Sequence, residues 1–231
     1  MLKITHIAKT FNPGTITEKK ALTDVSLTLN EGDFVTVIGG NGAGKSTMLN
    51  AVAGVFPVDR GTIEIGGIDV TRLPEYKRAR YLGRVFQDPM TGTAATMNIE
   101  ENMALAYRRG QPRGLRWGVG ARERELYREQ LKTPQLLLLD EHTAALDPKT
   151  AAKVLEITEK IVSSRGLTAM MVTHNMKDAI NVGNRLIMMN EGQIVVDVSG
   201  EDKKKLTRHD LMGLFEKAAG KELDGDRLLL S

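Results

Sequence analysis

Apolar and polar positions are ordered differently in the two halves of the chain. Leu2 to Phe11 alternates weakly and Ala21 to Leu29 alternates more regularly, so both are expected as strands. Asn30-Glu31-Gly32-Asp33 supplies a turn. Phe34 to Ile38 is a short β-branched run ending in two glycines, the pattern of a buried strand that feeds a loop. Lys45 to Val55 then reads as a helix with Gly54 as its stop, and Gly61 to Ile65 with Gly67 to Val70 as a hairpin.

Leu82 to Phe86 predicts another short strand, ending at Gln87-Asp88-Pro89. From Asn98 to Leu131 the chain turns helical and strongly charged, with a Gly- and Arg-rich interruption from Arg108 to Gly120. Leu136 to Asp140 reads as a buried strand, Pro148 to Ser163 as a helix, Thr168 to Thr173 as a strand and Met176 to Val182 as a short helix. Leu186 to Met189 and Gln193 to Val198 form a closing strand pair. Residues 201 to 221 are charged and mostly helical, with a thin apolar stripe of Leu206, Leu211, Leu214 and Phe215, and Glu201 to Ser231 is expected as a solvated helix and tail rather than a regulatory domain. Strands alternating with helices predict an α/β fold: a mainly parallel sheet flanked by helices, with an antiparallel β-rich flank from the early strands.

Composition narrows the function classes. A net charge of +3 from 32 basic and 29 acidic residues is too weak a bias to point to nucleic acid. The absence of cysteine excludes disulfides, thiolate metal sites and Cys nucleophiles. No signal peptide is readable at Met1 to Thr10, and the longest apolar run, Leu136 to Leu139, is far short of the roughly 20 residues of a membrane helix. Any connection to a membrane is therefore expected to run through a partner.

The chemistry is concentrated in a few places. Gly39-Gly40-Asn41-Gly42-Ala43-Gly44-Lys45-Ser46 fits G-x-x-x-x-G-K-S, followed by Thr47. Glycines let backbone N–H groups converge on phosphate oxygens, and the next helix offers its positive end. Lys45 would reach the β- and γ-phosphates, and the Ser46 hydroxyl would ligate Mg²⁺. Leu136 to Leu139 carries Asp140 and Glu141 to the C-terminal edge of a strand, where open α/β sheets bind ligands. Asp140 can hold a magnesium shell and Glu141 can polarise an attacking water; by itself, a strand ending in two acids is common. Gln87 can ligate the same cation, and His174 can touch a γ-phosphate, though each alone reads first as an ordinary loop residue. Phe11 can stack on adenine or belong to the core.

Taken in order, these residues resemble the ATP-binding-cassette (ABC) ATPases over about residues 2 to 200. The resemblance makes Phe11 the adenine-stacking aromatic, Gly39 to Thr47 the Walker A loop and Gln87 the Q-loop. It makes Asp140 and Glu141 the Walker B aspartate and catalytic glutamate, Ala145-Leu146-Asp147 the D-loop, and His174 the switch histidine. It implies one P-loop NTPase domain over residues 1–231, with a shortened helical subdomain at about 90–132 and a C-terminal helical tail at about 201–231. It further implies ATP and Mg²⁺ as cofactors, a homodimer formed on ATP binding, and a transmembrane permease contacting Gln87 to Thr96. An extracytoplasmic solute-binding protein would act indirectly, and the chain would sit in the cytoplasm on the inner face of the membrane. Glu141-His142-Thr143-Ala144-Ala145-Leu146-Asp147-Pro148, with His142 in place of the usual proline, is similar to a bacterial importer subfamily for amino acids or similar small solutes.

One departure from the family stands out. The L-S-G-G-Q signature, expected between Q-loop and Walker B, is absent, and Gln87 and Asp140 are only 53 positions apart. That is short by roughly two helices. The helix expected at Ala121 to Gln130 is too polar to replace the missing one. Either a disordered segment lies where the numbering has been closed over it, or the polypeptide lacks the segment. The first account is preferred, because every other motif is intact. It predicts consecutive Cα atoms between Gln130 and Pro134 much more than about 3.8 Å apart. If the segment is truly absent, a module that binds ATP without effective hydrolysis becomes the alternative. A non-transport ABC ATPase is the third reading, disfavoured by the lack of a tandem cassette or long coiled coil.

Overall fold

The computed structural model describes residues 1–88, 92–94, 96–108, 120, 123 and 134–219. The chain opens with strands β1 (Leu2–Phe11), β2 (Lys19–Leu29) and β3 (Phe34–Ile38), then helix α1 (Lys45–Ala53). Strands β4 (Arg60–Ile65) and β5 (Ile68–Asp69) lead to the short helix α2 (Glu75–Arg78), strand β6 (Leu82–Val85) and helix α3 (Ile99–Tyr107). Strand β7 (Leu136–Asp140), helix α4 (Pro148–Arg165), strand β8 (Thr168–Val172) and helix α5 (Met176–Asn181) follow. Strands β9 (Arg185–Asn190) and β10 (Gln193–Ser199) and helices α6 (Gly200–Lys205) and α7 (Arg208–Ala219) complete the described chain.

The strands form two sheets. One is antiparallel, in the order β2-β1-β4-β5; the other has six strands, in the order β10-β9-β3-β8-β7-β6. From β9 to β6 the second sheet is parallel, and β10 closes it antiparallel to β9. Every residue of β3 and β8 is buried, as expected of central parallel strands covered on both faces. On one face, Leu2, Ile4 and Ile7 of the antiparallel sheet meet Val35 and Val37 of β3, with Met48, Leu49 and Val52 of α1 between them. On the other, Leu155 and Val162 of α4 pack on Leu139, Ala169 and Met171. The P-loop helix is therefore wedged between two sheets, which fixes the direction of its N-terminus.

Local signals set most of these boundaries. Gly54 ends α1 in the left-handed conformation, and Asn98 opens α3 with a reciprocal capping box to Glu101. Asp147 caps α4, its Oδ1 accepting from the backbone N–H of Lys149 and Thr150 at 3.1 Å each, with Pro148 in the first turn. Helix α2 is not readable from apolar periodicity.

Two expectations are corrected. The C-terminal helical stretch breaks into α6 and α7 around Leu206, and one side of it is docked while the other stays exposed to solvent. Leu211 is fully buried against Met176, Ala179 and Met188, and Lys203 of α6 is buried. The apolar stripe is thin because one buried leucine and a few flanking contacts suffice to seat a short helix. The second correction concerns the missing signature. The sequence is continuous, so the 53-position interval belongs to the polypeptide itself and not to closed-up numbering. The expected Cα gap at Gln130 to Pro134, the polar helix Ala121 to Gln130, the Arg-rich stretch Arg108 to Trp117 beyond its first residue, and the tail from residue 220 lie outside the described residues. Among the described residues, no helix is long and apolar enough to cross a membrane.

Candidate functional site

An open cleft of about 200 Å³ lies between the β3–α1 loop and the C-terminal ends of β7 and β8. Asn41, Gly42, Ala43, Gly44, Lys45, Ser46 and Thr47 form one wall, Glu141 and His174 the other, and Lys19 and Ala21 of β2 a third side. Seven residues of the P-loop thus face two residues more than 90 positions later, because β3, β8 and β7 are adjacent in the sheet.

The loop needs glycine at two places. Gly39 has φ 149°, and a Cβ there would lie 2.2 Å from Met189 O. Gly44 has φ 101°, with Ala21 O 2.7 Å from the same imagined atom. Both contacts are with backbone, which cannot step aside cheaply. Lys45 is buried, and its Nζ donates to Gly39 O at 2.7 Å and Gly40 O at 3.1 Å. Burial lowers its pKa, opposed by the nearby charge of Glu141.

On the opposite wall, Glu141 leaves β7 with φ 47°, a conformation that costs an ordinary residue on the order of 1 kcal/mol or more. Its backbone N–H donates to Val172 O at 3.0 Å, and its side chain Oε1 lies 2.6 Å from His174 Nε2. The strained turn aims the carboxylate across the sheet toward the loop after β8, where His174, two residues past the strand, stands half-exposed. Asn175 then caps α5, accepting from Lys177 and Asp178 N–H. His142 is the next residue along. Desolvation lowers its pKa, its Nε2 is 3.4 Å from Thr158 Oγ1, and its Nδ1 is buried with no partner among the described residues.

Five expected residues stand apart from the cleft lining: Phe11, Gly39, Gly40, Gln87 and Asp140. Phe11 packs edge-on against Phe56, ring centroids 5.1 Å apart, with Lys9 Nζ 5.7 Å from each ring. In the β1–β2 ladder Phe11 faces Lys19, so it flanks the side of the cleft that Lys19 lines. Gln87 is exposed just beyond β6. Asp140 ends β7 beside Glu141, and its Oδ2 accepts a 2.8 Å hydrogen bond from Arg84 Nη2 of β6. Lys19 and Arg84 were not singled out from sequence, because an isolated lysine before a strand and an arginine inside one carry no local signal.

The donor set suits a hard cation shared with phosphate. Ser46, Gln87 and Asp140 offer a hydroxyl, an amide oxygen and a carboxylate, and no cluster of three or more His, Cys, Asp or Glu able to hold a metal exists among the described residues. Magnesium is commonly held by one or two protein oxygens and completed by phosphates and water, so these residues fit it.

Comparisons with known proteins agree with this geometry. The family model described as ABC transporter matches residues 22–125, ending ahead of the Asp140 strand. A tyrosine transport ATP-binding protein of Clostridioides difficile (strain R20291) is 37% identical over 255 residues, covering 94% of this chain and all of that one. Since 94% of this chain is about 217 residues, about 38 of those aligned positions have no counterpart here, in keeping with a shortened interior. The methionine import ATP-binding protein MetN of Corynebacterium efficiens is 31% identical over 215 residues, covering 82% of this chain and 60% of its own length. Among solved structures, the dimeric post-hydrolysis state of the ATP-binding cassette MJ0796 bound to ADP and Pi superimposes with a TM-score of 0.70 at 25% identity, covering 86% of this chain and 98% of that one. The chain belongs to the importer-type ATP-binding subunits of ABC transporters, P-loop ATPases whose hydrolysis is coupled to transport.

Proposed function

We propose that this chain energises uptake of an amino acid or a similarly small solute, seated in the cytoplasm against permease subunits on the inner face of the membrane. Relatives named for tyrosine and methionine support the solute class. Dimeric cassettes among the structural neighbours support a homodimer formed on ATP binding, and an extracytoplasmic solute-binding protein would deliver the solute. The absence of a membrane-crossing helix among the described residues is in keeping with membrane contact through the permease, near Gln87 to Thr96.

The observation that carries the reading is a glycine-lined loop with a buried lysine facing a carboxylate–imidazole pair 2.6 Å apart. In this reading, the loop N–H groups and the positive end of α1 hold the phosphates, and Lys45 turns from Gly39 O and Gly40 O to the β- and γ-oxygens. Phe11 and Lys19 flank the base and sugar. Ser46, Gln87 and Asp140 would hold Mg²⁺, which would supply charge neutralisation on the phosphates. Glu141 accepts a proton from water as the water oxygen bonds to the γ-phosphorus and the bridging oxygen leaves with ADP. His174 orients Glu141 and contacts the γ-phosphate.

Positioned base catalysis is commonly worth about 10² to 10⁴ in rate. Glu141→Gln is therefore expected to bind ATP as the parent does while losing most of its steady-state phosphate release; a parental rate in that variant refutes the role. The missing signature favours a second reading for the isolated chain, nucleotide binding with weak turnover, since the partner half of each composite site would be incomplete. Phosphate release by the purified full chain, with and without permease, separates the two.

A further inference from the structure

Asp140 is the residue on which the Mg²⁺ role above rests, and it is already engaged. Arg84 Nη2 donates to its Oδ2 at 2.8 Å across neighbouring parallel strands, with the two side chains 11% and 16% exposed. Breaking such a pair, mostly out of water, is costly unless each charged group finds another partner. The rest of the guanidinium is not committed to a complete set of bonds. Arg84 Nε is buried without a hydrogen-bond partner among the described residues. The guanidinium carbon sits 4.5 Å from the centroid of the Phe86 ring, one residue before Gln87. A structural arginine ordinarily satisfies its donors; compare Arg78, whose Nε, Nη1 and Nη2 all donate to backbone carbonyls. Arg84 is held by one carboxylate, next in sequence to the cleft residue Glu141, and by one aromatic face.

We infer that Arg84 is a displaceable counter-cation for Asp140, which withholds this carboxylate from a divalent metal until nucleotide arrives. This rests on the reading of Asp140 as the metal's carboxylate. The argument is electrostatic. A divalent ion approaching Asp140 must compete for its oxygens and also meets the like charge of Arg84 nearby. A free metal ion gains too little from one carboxylate already neutralised by arginine. A metal that comes with a triphosphate is held by the phosphates too, and Arg84 can then give up Oδ2 and remain over the Phe86 face, where a cation is favoured. Because Phe86 adjoins Gln87, the exchange also links metal arrival to the segment after β6. Arg84 is thus a positioning residue that acts through Asp140.

The test uses Mn²⁺ as an EPR-visible probe on the full chain, with and without a non-hydrolysable ATP analogue. Arg84→Met, which keeps the apolar stem, is expected to bind Mn²⁺ without nucleotide about tenfold more tightly than the parent, the equivalent of one charge-assisted hydrogen bond. That gain should vanish when Asp140→Asn is added, which a merely structural arginine would not produce. If Arg84→Met fails to fold, Arg84→Gln should give a smaller gain in the same direction. Metal affinity equal to or below the parent in the Arg84 variant, with Asp140→Asn still weakening Mn²⁺·nucleotide binding, overturns the inference and leaves the site reading standing. No effect of Asp140→Asn on Mn²⁺·nucleotide binding overturns both.

Discussion

Replacing Arg78 by Met removes a cation from the end of the P-loop helix farthest from the nucleotide cleft. Arg78 is 1% exposed, at the end of α2. Its Nη1 donates to Ala51 O at 2.7 Å and Val52 O at 2.9 Å in the last turn of α1, Nε to Leu73 O at 2.8 Å and Nη2 to Thr71 O at 2.9 Å. The guanidinium therefore does what a C-terminal cap does: it satisfies terminal carbonyls and places positive charge where the helix dipole is negative. Burial lowers its pKa, partly offset by Asp69, but an arginine remains charged.

Methionine can fill the space but donates nothing. The bonds to Thr71 O and Leu73 O are only partly buried, and water can replace them. Those to Ala51 O and Val52 O are buried, and Ala51 O keeps its bond from Gly54 N–H. One fully orphaned carbonyl and one weakened one, at about 1 to 3 kcal/mol each, with a lost charge–dipole term of up to about 1 kcal/mol, give a loss of about 3 kcal/mol. Arg78→Lys should retain part of this, since an ammonium reaches one or two carbonyls but not all four. Urea unfolding followed by far-UV circular dichroism measures both. A midpoint within about 0.5 kcal/mol of the parent at an unchanged m-value would refute the capping argument. Nucleotide affinity measured below the unfolding midpoint should change far less than stability, because Lys45 lies at the other end of α1.

Other expectations are as direct. Lys203 donates to Val182 O, Gly183 O and Thr36 Oγ1 from a buried position, and desolvation lowers its pKa from 10.5 to about 8. With the folded value below the unfolded one, the unfolded chain holds the extra proton between these limits. Stability should therefore rise as pH climbs from about 8 toward 10.5, and Lys203→Met should flatten that rise in denaturant titrations; an identical slope in both proteins would remove Lys203 as its source. Gly44→Ala places a methyl 2.7 Å from Ala21 O at φ 101°, so it should cost about 1 to 3 kcal/mol and weaken ATP binding together. Full ATP affinity in that variant by calorimetry would show that the loop tolerates displacement.

What the chain carries in its order of residues is whatever neighbours along the sequence can settle. The β-branched run Phe34 to Ile38, the glycines after it and the helix beginning at Lys45 are a local pattern, as are the caps at Asn98 and Asp147 and the acids that end Leu136 to Asp140. These suffice for an α/β reading, for a phosphate cradle and for a family, since short motifs encode backbone geometry directly. Sheet order is a different matter. That β3 lies between β9 and β8, and β6 beside β7, depends on packing across gaps of tens to more than a hundred residues. Only that packing brought Glu141 to His174 and Asp140 to Arg84, turned Arg78 into a cap for a helix it follows by 25 residues, and buried Lys203 under strand β3. In sequence Arg84, Arg78 and Lys203 are each one charged residue among many. Burial in one place makes it specific, because there a charge must find its partners and has nowhere else to go.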